Sequence, residues 1–104
     1  MGRYALRQDI NINGYWKIII LYDVYLGEKN TGFTYTNFNK RKSIVGISEV
    51  SSQEQFFNTL VHEAKHVQSH ICKYYNIKED SEDTAYLIGY IIQKCIKFLS
   101  TRIK

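Results

Sequence analysis

The sequence predicts an α+β fold in which a three- to four-stranded antiparallel sheet is followed by two long helices, all within a single domain spanning residues 1–104. Three observations carry this expectation. Up to about residue 50 the apolar residues come in short aromatic and β-branched runs separated by turn signals. From there on they recur at the spacing of one helix face, twice, with an acidic break between the two segments. Finally, 104 residues without a single proline suffice for one modest core but not for a core plus a large second lobe.

Taken in order, the first strong signal is Asn13-Gly14, because both residues tolerate positive φ and suit a tight hairpin between strands at about 4–12 and 15–26. "GEKNTG" at 27–32 breaks the pattern before "FTYTNF", and "NKRK" at 39–42 leads into "SIVGISEV", which predicts a meander of three or four strands. Ser51 with Glu54 three residues later reads as a capping box. Phe57, Leu60, Val61, Ala64, Val67, Gln68, Ile71 and Tyr75 then form one face of a helix over about 52–75. "NIKEDSED" ends that period and offers Ser81 and acidic residues to open a second helix, expected at about 82–101.

Composition narrows the function classes. The formal charge is +4, yet Lys and Arg are spread along the chain, with only Lys40, Arg41 and Lys42 forming a run, so charge alone does not select a nucleic-acid partner. Cys72 and Cys95 lie on different predicted helices without CxxC spacing, which predicts reduced, buried thiols. The longest apolar run, Ile18 to Leu21, is far short of the roughly 20 residues of a membrane span, and no signal sequence opens the chain. A soluble, cytoplasmic protein without a membrane partner is the expectation.

All three histidines fall between 62 and 70. His62 and His66 sit in His62-Glu63-Ala64-Lys65-His66, an HExxH pattern, on the side of the first helix away from its apolar stripe, with Thr59, Ser69 and Lys73 beside them. The i, i+4 spacing puts two imidazoles one helical pitch apart, close enough to share a zinc ion at about 2.0–2.1 Å from each nitrogen. Glu63 points beside such an ion, where its carboxylate can take a proton from the attacking water. A lone helical histidine is more often a surface or satisfied core residue; two at this spacing, off the core stripe, ask for another explanation.

His70 cannot complete the site, since it lies two turns and about 12 Å along the axis from His62. The longer HExxHxxGxxH pattern also fails, with Ser69 and Cys72 at its glycine and third-histidine positions. The remaining source is the acidic cluster of Glu79, Asp80, Glu82 and Asp83. Acidic residues at a helix N-terminus are also expected for dipole reasons alone. With Ala85, Ile88, Ile92, Cys95, Ile96 and Leu99 taken as the second helix's apolar face, Glu82 lies at its border, in line with Tyr86, Gly89 and Gln93. Glu82 is then the preferred third ligand, with Asp83 and Glu79 in reserve, and Gly89 would permit close approach of the first helix.

HEAKH on one helix, with Glu82-Asp83-Thr84-Ala85 opening the next, resembles the gluzincin arrangement of zinc metallopeptidases. In its size and order of elements the chain is similar to the minigluzincins. The match is specific over 51–99 and only architectural over 1–50. The resemblance implies zinc as cofactor, His62, His66 and Glu82 as its ligands, and Glu63 as general base and acid. It further implies a peptide or protein substrate laid along an exposed sheet edge, for which 43–48 is the candidate, and a tyrosine to stabilise the oxyanion, Tyr86 ahead of Tyr90. His70 is read as a surface residue or as support for the site. Two readings compete: a catalytically latent zinc-binding regulatory or interaction module of the same fold, and a small basic nucleic-acid binder using Lys40, Arg41, Lys42 and exposed tyrosines.

Overall fold

The computed structural model describes residues 4–26, 30–49 and 52–102. The chain runs β1 (Leu6–Ile12), β2 (Trp16–Val24), β3 (Gly32–Asn37), β4 (Lys42–Ser48), α1 (Gln53–Tyr75) and α2 (Glu82–Arg102). The α+β class and the two long helices follow the sequence expectation. β1 and β2 form the expected antiparallel hairpin, turning on Asn13 and Gly14, whose φ values of 49° and 81° lie in the left-handed region that Asn and Gly tolerate.

The sheet departs from a meander. Its order is β1-β2-β4-β3, with β2 and β4 parallel and β3 antiparallel to β4. The link after β2 carries the chain past one vacant strand position, and the turn after β3 brings β4 back to fill it. The physical reason lies in composition. "SIVGIS" is apolar on both faces and nearly all buried, as a central strand must be, whereas "GFTYTN" is polar and only half-buried, as suits an edge. The expectation that 43–48 is a free edge is therefore corrected: β4 is paired on both sides, and the exposed edge beside α1 belongs to β3.

Both helices pack on one face of the sheet. There Ile10, Ile12, Ile18, Ile20, Val45 and Ile47 meet Leu60, Ala64, Val67 and Ile71 of α1 and Ile91 and Cys95 of α2. Each fully buried aliphatic side chain of this kind contributes about 1.5–3 kcal/mol. On the opposite face Ile19, Leu21 and Val24 cluster with Leu26, Phe33 and Ile44. Polar atoms inside the core are paired: the Trp16 indole donates to Ser43 Oγ at 3.0 Å and the Tyr22 hydroxyl donates to Gln8 Oε1 at 2.7 Å. Gln8 in turn donates to the Lys94 carbonyl at 3.1 Å, tying α2 to β1.

Ser52 caps α1 by accepting the Gln55 N–H at 3.1 Å; Ser51 of the expected capping box lies outside the described residues. Asn76 closes the helix in the left-handed conformation, with φ 57°. Ser81 accepts the Thr84 N–H at 3.3 Å and so opens α2 where expected. Both cysteines are buried free thiols, and burial pushes Cys95 up to about 11. Among the described residues no helix is long and apolar enough to cross a membrane.

Candidate metal centre

α1 carries the site because its residues face three ways. Leu60, Ala64, Val67 and Ile71 enter the core, Gln68 turns toward α2, where its amide donates to the Thr84 carbonyl at 2.8 Å, and Glu63 and His70 turn toward β3. His62 and His66 are left on the exposed flank, as their spacing predicts. Their Nε2 atoms converge to 3.2 Å with the rings nearly perpendicular, at 83°. Two tetrahedral ligands, each about 2.0–2.1 Å from a shared zinc ion, would place their nitrogens about 3.3 Å apart. The 3.2 Å contact is a hydrogen bond between the two rings, and it is also a separation that two ligands of one zinc ion could adopt.

Glu63 is not on that exposed flank. Only 5% of its surface meets solvent, and Oε1 accepts the Thr34 hydroxyl at 2.7 Å. Oε2 has no hydrogen-bond partner among the described residues. The contact requires β3 to lie very close to α1, and Gly32 permits it: a Cβ at Gly32 would meet Thr59 Cγ2 at 2.8 Å, the Gly46 carbonyl at 3.0 Å and Glu63 Cγ at 3.1 Å. Thr59, expected beside the histidines, is buried by the same approach.

His70 belongs to this second contact rather than to the surface. Its Nδ1 lies 2.7 Å from Thr36 Oγ1, Thr36 Oγ1 lies 2.7 Å from Ser43 Oγ, and Ser43 accepts from Trp16. With His70 neutral and Nδ1 bare, every proton in this chain has an acceptor. A proton on Nδ1 would turn the Thr36 hydroxyl around and strand that of Ser43. Burial holds His70 below the usual histidine range, and the nearby His66 and Lys73 act in the same direction. Thr34 and Thr36 alternate with Tyr35 in "FTYTNF", so a common face for the two threonines was readable; their partners on α1 were not.

The expected third ligand stands elsewhere. The packing face of α2 is centred on Thr84, Ile91 and Cys95; of the stripe read from the sequence, Cys95 is buried and Ile88, Ile92 and Leu99 pack at its sides, while Ala85 and Ile96 are exposed. Glu82, Tyr86, Gly89 and Gln93 then lie some 140–200° round the helix from Thr84, at 100° per residue. Nothing lies within 4 Å of a Cβ built at Gly89, so it provides no close approach for α1. Tyr86, 69% exposed, donates to Glu82 Oε1 at 3.5 Å; neither side chain comes to the histidine pair. Asp83 is exposed as well, and Tyr90 carries the Lys94 ammonium over its ring at 5.4 Å.

Glu79, by contrast, is held against α1. Its Oε1 accepts the Ser69 hydroxyl at 2.5 Å and the Lys65 ammonium at 3.5 Å, and the Ser69 hydrogen bond, with help from Lys65, draws the carboxyl below the usual range. Ser69 is three residues beyond His66, on the same flank of α1. Among the described residues no three His, Cys, Asp or Glu side chains stand together closely enough to hold a metal. Two imidazoles converge at a separation one zinc ion could share, and among the described residues no carboxylate stands with them. Family models, characterised proteins and solved structures offer no match to this chain.

Proposed function

We propose that the chain is a zinc-dependent hydrolase of peptide bonds, with His62 and His66 holding the metal and Glu63 handling the proton. The reading rests on the 3.2 Å approach of the two Nε2 atoms on a solvent-facing helix flank. Bound zinc supplies a Lewis acid for the scissile carbonyl and acidifies water toward a pKa of about 7. The protein's own groups do the remainder. Thr34 grips Oε1 of Glu63 and fixes the carboxylate's orientation, leaving Oε2 to accept the water's proton and return it to the leaving amine. An extended peptide would add to the open edge of β3, which runs beside α1.

The third ligand in this proposal is a carboxylate of the α1–α2 connection. Glu79, already on the histidine side of α1, is favoured over Glu82, which faces away. Metal analysis of the purified full chain tests the set. One zinc per chain is expected, with His62→Ala and His66→Ala losing it, Glu79→Gln weakening it and Glu82→Gln leaving it bound. A wild-type chain without stoichiometric zinc would remove the proposal. Glu63→Gln should keep zinc and abolish hydrolysis of an unfolded protein substrate.

A second reading, a zinc-holding interaction module without turnover, draws on the burial of Glu63 against Thr34 and on the exposure of Tyr86, whose hydroxyl meets Glu82. Full zinc occupancy combined with no cleavage across a broad peptide library would favour it over the hydrolase.

A further inference from the structure

The fold gathers at one end of the sheet what the sequence scatters. The β1–β2 turn, the β3–β4 turn and the C-terminal end of α1 meet there. Lys17, Lys40 and Arg41 line a small cavity of about 100 Å³ with Asn11, Gly14 and Tyr15, and Lys42 is the strand partner of Lys17. Lys17 reaches Asp9 at 3.6 Å, but among the described residues Lys40, Arg41 and Lys42 have no carboxylate within ion-pair distance. Arg41 holds a φ of 51°, while its carbonyl accepts the Lys17 N–H at 3.0 Å and locks the two turns together.

Beside these cations stands an aromatic platform. Tyr15 meets Tyr75 edge to face at 5.6 Å, Tyr74 meets Tyr75 at 4.8 Å and Trp16 at 5.5 Å, and the Tyr75 hydroxyl donates to the Tyr15 carbonyl at 2.9 Å. Tyr15 and Tyr74 nevertheless keep 39% and 44% of their surface in solvent. Rings oriented by their neighbours and still exposed, next to unpaired cations, match the two demands of an unstacked nucleic-acid strand: a π-face for a base and positive charge for the phosphates.

We propose that this end of the molecule binds single-stranded nucleic acid, with Lys40, Arg41 and Lys42 on the phosphates and Tyr15 and Tyr74 stacking on bases. A duplex fits less well, since its bases offer no free face to the tyrosines. An acidic peptide would use the cations and leave the rings without a role, and an anionic membrane has no ordered bases to stack. The surface shares no residue with the histidine site, so it stands or falls independently of zinc.

The test is fluorescence anisotropy of the full chain with a labelled oligothymidylate of about 12 nucleotides. Saturable binding is expected, with log affinity falling against log salt at a slope of roughly −2, as three phosphate contacts on a single strand give. Lys40→Gln with Arg41→Gly should weaken it tenfold or more. Glycine suits the positive φ at 41, so the fold should hold, and an unchanged melting temperature would establish that. Tyr74→Leu should weaken binding without changing the salt slope. No binding, equal binding to polyglutamate, to phosphatidylserine vesicles or to the same sequence as duplex, or indifference to the Lys40/Arg41 variant would each overturn the proposal.

Discussion

Glu63 and His70, seven residues apart on α1, are held by Thr34 and Thr36, two residues apart on β3. Removing one hydroxyl leaves a buried acceptor unmet. Thr34→Val should therefore cost about 1–3 kcal/mol in urea unfolding, and Thr34→Ser should recover most of it. For His70 the sign follows from its lowered native pKa: above the ordinary value of 6.5 neither state is protonated there, and below it the unfolded chain binds a proton that the fold resists. Stability should fall as pH drops below about 6.5, and His70→Gln should flatten the melting temperature between pH 7.5 and 5.5. The HExxH pair was legible because it is local, two side chains on one helix whose spacing sets their convergence. The threonine clamps were not, since they depend on how an edge strand registers against a helix tens of residues later.

Among the elements, α1 and α2 were bounded to within a residue or so, because period, caps and breaks are all written along the chain. What misled was the orientation of α2. Its apolar residues nearly encircle it, so the stripe read from them turned Glu82 toward α1, when packing selects Thr84, Ile91 and Cys95. Thr84, a buried polar residue, carries the real signal: its hydroxyl donates to the Glu79 carbonyl at 2.8 Å and its own carbonyl receives Gln68. Two element-level variants check this architecture. Ser52→Ala should cost about 1 kcal/mol through loss of the α1 cap. Gly32→Ala should cost about 1–3 kcal/mol, since the new Cβ would press on Thr59 of α1 at 2.8 Å and on the backbone carbonyl of Gly46 in β4 at 3.0 Å, which cannot swing aside.

For the molecule as a whole, the α+β class came from counting strands and helices, but the sheet order did not, because it depends on which strand is apolar on both faces. Reading "SIVGIS" as a run apolar on both faces, rather than as an edge, would have placed it centrally. Zinc, if held as proposed, binds only the folded chain, so the melting temperature should rise with free zinc and fall with EDTA, and His62→Ala should abolish the response. The inserted β4 also sets the order in which the molecule can assemble. The β1–β2 hairpin and the helix pair join neighbours in sequence, whereas residues 17–24 cannot zip to 42–48 until a loop of about 20 residues has closed. Trp16, the single tryptophan, bonds across that last seam to Ser43. In stopped-flow refolding its fluorescence should therefore lag behind the helical circular dichroism signal, and Ser43→Ala should slow the fluorescence change if the seam is already forming at the barrier.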